Sequence, residues 1–299
     1  MTRLDSWRIL PHEIAFALFW ISGTVRLVMR QGWGGDAILF TSLLLVSGAL
    51  ILLSLRLPHR RWTMYLRLLY FPLAINLTYA AIRTAVPAMT TRRWDLALQK
   101  CDETLLGGHP SLWLQSWVNP WATEILSFCY LTFFAGLLLS WIHYYRRDLG
   151  LARLFTAGFF TVYGLGFLGY TLIPAAGPHL DPAFAARYTV PLEGWVFTKW
   201  NAALVEAGSN RVDVFPSLHT AVTAFLLGFD RRFAPGRFRL WLVPTVGLWL
   251  STIYLRYHYV TDVMAGFALA GFAIWLTRYL HAPDPHPTSS RRHEPAASI

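Results

Sequence analysis

At 299 residues, with 55% hydrophobic and 14% charged side chains, the chain is too apolar for an ordinary soluble domain. Its formal charge of +10 does not point to nucleic acid, because the arginines are scattered between apolar runs and no basic stripe interleaves with aromatics. Neither cysteine, Cys101 nor Cys129, has metal or redox spacing, and no structural disulfide is expected.

Repeated apolar runs predict an all-α, polytopic membrane helical bundle, and their continuous rather than alternating hydrophobicity excludes a barrel. Eight membrane helices are predicted, over 12–29, 36–55, 62–85, 119–143, 151–174, 216–231, 238–256 and 258–280. The N-terminal MTRLDSWRILPHE is not expected to be a cleaved signal, since no small-residue processing site follows the first apolar run. Helices one and two read as lipid-facing scaffold, with Phe16, Leu18, Phe19, Trp20 and residues 43–46 offering no chemistry. The basic loop 56–62 reads as a topology determinant. Arg67, Arg83 and Glu124 are charges at membrane depth that call for partners, and Arg83 and Glu124 are placed to pair.

Residues 90–119 are too polar to span. Trp94, Leu96, Leu105, Trp113 and Trp117, mixed with charge, suit short helices in the headgroup layer, either a lid or lipid entrance beside the site or a passive belt. The implied division is an N-terminal transmembrane scaffold at 1–90, an outer interfacial segment at 91–118, a catalytic helical core at 119–280 and a disordered tail at 281–299, rich in proline, serine and charge.

Eight spans put both termini on one side. With the termini in the cytoplasm, 16 of the 26 Lys and Arg fall inside, as the positive-inside rule requires. The loops that lead into FPSLH, at 215–219, and the turn between the last two helices are then both outside. The chemistry-bearing residues thus meet on the non-cytoplasmic face. The absence of eukaryotic targeting tails points to a bacterial plasma (inner) membrane.

His258 and Asp262 are four apart on a helix expected to begin near His258, so the carboxylate can hold the second N–H of the imidazole. His219 is expected just inside a helix opened by Pro216, where free amides face an anion. This set suits phosphoryl transfer through a phosphohistidine: His258 attacks phosphorus, Asp262 stabilises the imidazolium, and His219 protonates the leaving oxygen. Two histidines and one aspartate lack zinc or iron spacing, and the scheme calls for no metal or cofactor.

At these residues, PSLH and Ser251 followed by His258 and Asp262, the sequence resembles the type 2 phosphatidic acid phosphatase superfamily. Within it, the FPSLH and STIYL…HYVTD strings look like the branch that contains fungal inositol phosphorylceramide synthase. The resemblance covers roughly residues 165–270 and implies His258 as nucleophile, Asp262 as its orienting partner, His219 as acid and Ser217 as a phosphate contact. It departs from the family in three places. No lysine precedes an Arg-Pro pair, and the equivalent GPHL loop puts His179 where a permanent cation is expected. Thr252 replaces an arginine, leaving Arg256 as the nearest candidate clamp, and Leu218 replaces a glycine. Gly177, which lets backbone approach a ligand closely, and Arg211, near PSLH in sequence, complete the candidate phosphate contacts.

The expected substrate is a lipid phosphate within the bilayer, with an alcohol or lipid acceptor if the reaction is transfer. Hydrolysis and transfer share the first half-reaction and differ in whether water or an alcohol attacks the intermediate; the residues leave both open. A different class, a non-catalytic lipid transporter or scaffold that keeps the fold, is favoured by the missing Arg-Pro motif and opposed by the intact His219, His258 and Asp262.

Overall fold

The structure is a computed structural model that describes residues 2–283; the predicted tail, from residue 284 onward, lies outside the described residues. In chain order the helices are α1 (Arg3–Ser6), α2 (Pro11–Gln31), α3 (Gly35–Arg56), α4 (Arg61–Met89), α5 (Asp95–Leu106), α6 (Pro110–Trp113), α7 (Pro120–Tyr145), α8 (Leu149–Leu172), α9 (Pro182–Ala185), α10 (Val196–Gly208), α11 (Leu218–Phe233), α12 (Pro235–Tyr254) and α13 (Val260–His281). The eight long helices α2, α3, α4, α7, α8, α11, α12 and α13 match the eight predicted spans in position, displaced by a few residues at their ends.

Local chemistry explains where these helices start. Pro11 and Pro120 occupy first helical positions, where a missing N–H costs nothing. Asn119 and Asp148 cap α7 and α8 by accepting from the backbone N–H groups of Ala122, at 3.0 Å, and Leu151, at 2.8 Å.

Among the described residues, six helices are long and apolar enough to cross a membrane; α11 and α12 are not in that set. The reason for α11 is length: it has 16 residues, and it lies at the centre, packed by α8, α12 and α13. α12 opens on PGRFR, whose two arginines lower its hydropathy, and carries Pro244. Burial corrects the expectation for the first helix. Phe16, Phe19 and Trp20 are fully buried against Phe40, Phe71 and Phe167, while Leu18 faces outward with Ile14, Ile21 and Val25.

At one end of the bundle, Glu13 pairs with Arg67, which also donates to Ser54 Oγ and to the Arg8 carbonyl. Tyr144 donates to Asp230 at the same end. α1 meets the end of α13 there too, the Arg3 N–H donating to the Ala282 carbonyl at 3.0 Å. At the opposite end lie α5, α6, α9 and α10. The expected Arg83–Glu124 pair is replaced: Glu124 accepts from the backbone N–H groups of Trp195, Phe197 and Thr198 and from the Thr198 hydroxyl, tying α7 to the start of α10.

Candidate functional site

The site forms where two chain reversals meet. After α12 ends, Arg256 takes a left-handed conformation (φ 68°), and the N–H groups of both Tyr257 and His258 donate to the Thr252 carbonyl at 3.0 Å. The hydroxyls of Ser251 and Thr252 turn back onto their own helix, to the carbonyls of Leu248 and Trp249. His258 therefore precedes α13 rather than opening it. Asp262, in the first turn, reaches back with Oδ1 to His258 Nδ1 at 3.0 Å and with Oδ2 to the Tyr259 N–H at 3.0 Å. A carboxylate accepting from Nδ1–H leaves the Nε2 lone pair free.

The second reversal carries FPSLH. Pro216 lies outside α11, whose N-cap is Ser217: its Oγ accepts from the Thr220 N–H at 3.3 Å. The Ser217 N–H donates to the Asp262 carbonyl at 3.0 Å, joining the two motifs through the backbone. Such closeness needs glycine alongside. A Cβ on Gly266 would stand 2.6 Å from the Ser217 carbonyl oxygen, and one on Gly169 2.3 Å from Pro216 Cδ. As a result His258 Nε2 lies 3.4 Å from both Ser217 Oγ and His219 Nδ1. The His219 ring is held between Tyr130 and Phe133, at centroid distances of 4.7 and 4.6 Å. His258, Asp262 and Ser217 are buried, whereas His219 is partly open.

It opens onto a cavity of about 550 Å³ whose wall includes His219, His258 and His179. The remaining wall is largely aromatic, with Tyr79, Tyr130, Tyr163, Tyr170 and Tyr257 beside Phe133, Phe134 and Phe167. Asp213 is the one carboxylate in the lining, and neither Lys nor Arg lines it among the described residues. Asp213 is held by Tyr79, whose hydroxyl donates to Oδ2 at 2.5 Å.

The other expected phosphate contacts are placed differently. Arg256 turns away from the cavity: its guanidinium donates to the Val190 carbonyl at 2.5 Å and lies 4.2 Å over the Tyr188 ring. Arg211 is exposed and paired with Glu206 at 3.4 Å. Gly177 (φ 94°) packs so that a Cβ would lie 2.5 Å from the Tyr257 carbonyl, and its N–H donates to Asp95 Oδ1 at 2.9 Å, so it serves loop packing. His179 does line the cavity, its ring edge-on to Tyr257 and its backbone N–H donating to the Arg256 carbonyl at 3.1 Å. Burial, with His258 nearby, pushes the His179 imidazole down to about 4, so the ring is neutral at pH 7.

Sequence reasoning missed Tyr79, Tyr130 and Asp213, whose aromatic or turn-like surroundings look like ordinary core and loop. It also missed Asp95 and Asp102, although their spacing of seven puts both on one helical face.

A buried His-Asp pair facing a second histidine on a cavity with many aromatic walls, within an α-helical bundle of membrane-spanning length, fits an integral membrane protein of the lipid phosphatase and phosphotransferase class. The chain belongs to the PAP2 superfamily, which it matches over residues 96–276. It is similar to the inositol phosphorylceramide synthase catalytic subunit of Saccharomyces cerevisiae, 36% identical over 69 residues, which is 23% of this chain and 17% of the yeast protein. No solved structure matches.

Proposed function

We propose that the protein transfers a phosphoryl-containing group from a membrane phospholipid through a covalent phosphohistidine at His258. The observation that carries this reading is the placement of His258 Nε2, backed through Nδ1 by Asp262 and facing His219 and Ser217 at a cavity wall. Nε2 attacks phosphorus, the N–P bond forms as the P–O bond to the leaving alkoxide breaks, and His219 delivers its proton to that oxygen. In the second half-reaction His219 takes the proton of an acceptor hydroxyl, whose oxygen attacks phosphorus and releases His258. Substrate phosphorus has to enter between the two rings, whose centroids are 5.6 Å apart.

The lining supports a phosphodiester donor over a phosphomonoester. Desolvation cost grows with the square of charge, so a dianion costs about four times as much as a monoanion to bring into a cavity without cations. Tyrosine hydroxyls and His179 supply neutral donors, enough for one charge, and Asp213 disfavours a second while suiting a hydroxyl-bearing headgroup or acceptor. Transfer to an alcohol follows more readily than hydrolysis from such a site. The arginine-rich end of the bundle supports cytoplasmic termini and an outward-facing active site. The core at 119–280 does the chemistry on this reading, and Tyr79 adds a wall from the region 1–90.

The test is purified protein in detergent with phosphatidic acid, prenyl diphosphate or phosphatidylinositol, with and without ceramide, beside His258→Ala. The expected result is a new phosphorylated lipid from phosphatidylinositol only when ceramide is present, and none from the variant. Free phosphate from phosphatidic acid would replace this with a phosphatase; turnover by His258→Ala would overturn the mechanism, and silence across the panel would favour a non-catalytic lipid-binding role.

A further inference from the structure

The reversal that carries His258 and the loop that carries His179 are held from outside the bundle by one surface helix. α5 presents Asp95, Leu98 and Asp102 on its buried face. Asp95 accepts from the N–H groups of Ala176, at 2.9 Å, and Gly177, at 2.9 Å, in the loop that carries His179, and from the Tyr259 hydroxyl at 3.1 Å. Asp102, two turns on, accepts from the N–H groups of Val260, at 2.9 Å, and Thr261, at 2.7 Å, and from the Thr261 hydroxyl at 2.6 Å. The first turn of α13 has no side-chain cap from its own N-cap residue, Tyr259, so a carboxylate 158 residues earlier does that work.

Charge makes this more than mechanical. His258 sits just before the positive end of the α13 dipole, which disfavours the imidazolium that forms when Nε2 becomes phosphorylated. A carboxylate on the first two free amides offsets that field and fixes the turn from which Asp262 reaches back. We propose that Asp102 and Asp95 are positioning residues for the reaction: Asp102 sets the orientation and charge environment of His258, and Asp95 sets the His179 loop against Tyr259. α5 thereby acts as a clasp over the site rather than as a free lid. The role rests on the phosphohistidine reading, but the first measurement below does not need turnover.

The imidazole of His258 is followed by NMR in full-length protein labelled at histidine, across pH, in wild type, Asp102→Asn and Asp102→Ala. Asparagine keeps an acceptor and removes the charge, so the midpoint read at His258 is expected to lie below that of wild type. Turnover of phosphatidylinositol, per folded protein, is then expected to fall about tenfold or more in kcat for Asp102→Ala with KM changed less than about twofold, and to be partly restored in Asp102→Asn. An unshifted midpoint together with wild-type kcat in folded Asp102→Ala overturns the positioning role. A shifted midpoint with a fully active His258→Ala overturns the phosphohistidine reading and leaves the electrostatic clasp standing.

Discussion

Asp262 divides its carboxylate between the imidazole of His258 and the backbone that carries it, with 3.0 Å to Nδ1 and 3.0 Å to the N–H of Tyr259. One side chain thus selects the tautomer and fixes the loop. Asp262→Asn would offer an amide N–H to Nδ1 and favour protonation at Nε2, removing the lone pair that attacks. The expected loss in kcat is on the order of 10²–10⁴-fold with KM little changed, read from steady-state kinetics with phosphatidylinositol. A KM effect alone would move Asp262 out of the chemistry.

Arg256 is predicted to be a structural cation. Its contacts to Val190 and Tyr188 tie down the outer loop, so Arg256→Ala is expected to lower stability by about 1–2 kcal/mol and to leave KM for the lipid unchanged. Melting in detergent and a KM determination decide this; a tenfold rise in KM would return Arg256 to the phosphate.

His179 makes the outer loop acid-sensitive. Its folded value of about 4 lies below the ordinary 6.5, so the unfolded chain binds a proton between these values that the folded one does not. The contribution is complete above pH 6.5 and declines as pH falls toward 4, by about 1–2 kcal/mol between pH 7 and pH 5. His179→Gln is expected to narrow the difference in melting temperature between those two pH values; an identical difference would show that the ring is already charged when folded.

Glu13 and Arg67 are both buried, at 2% exposure, and among the described residues neither has another opposite charge in contact. Glu13→Gln leaves the guanidinium uncompensated, and a loss of about 3–5 kcal/mol is expected in detergent unfolding. Replacement of both by apolar residues should recover much of it, and if the single variant melts like wild type the pair is not the lock of that end.

The helices were legible because lipid demands long apolar runs, and all eight appear within a few residues of their predicted bounds. The His258–Asp262 spacing was legible too, although the contact belongs to a helix start and not to a helix face. What stayed hidden depends on which way a side chain faces. Phe16 and Trp20 are buried while Leu18 meets lipid, a choice that apolar surroundings on both sides do not record in residue type. Arg256 faces away because of a left-handed backbone and a loop some 66 residues earlier, and Asp102 caps a helix far along the chain. No local pattern announces such pairings.

The backbone bond from the Ser217 N–H to the Asp262 carbonyl has an evolutionary consequence. The His258 turn and the FPSLH turn are registered to one another by main chain and glycine contacts, while the part of the aromatic wall away from His219 is built from Tyr79 on α4 and Tyr163, Phe167 and Tyr170 on α8. On the proposed mechanism, the reaction and this part of the lipid-facing wall therefore occupy separate parts of the molecule. A lineage can rewrite that wall to accept a new headgroup or tail without retuning the histidines, so selectivity is free to drift while the chemistry stays put.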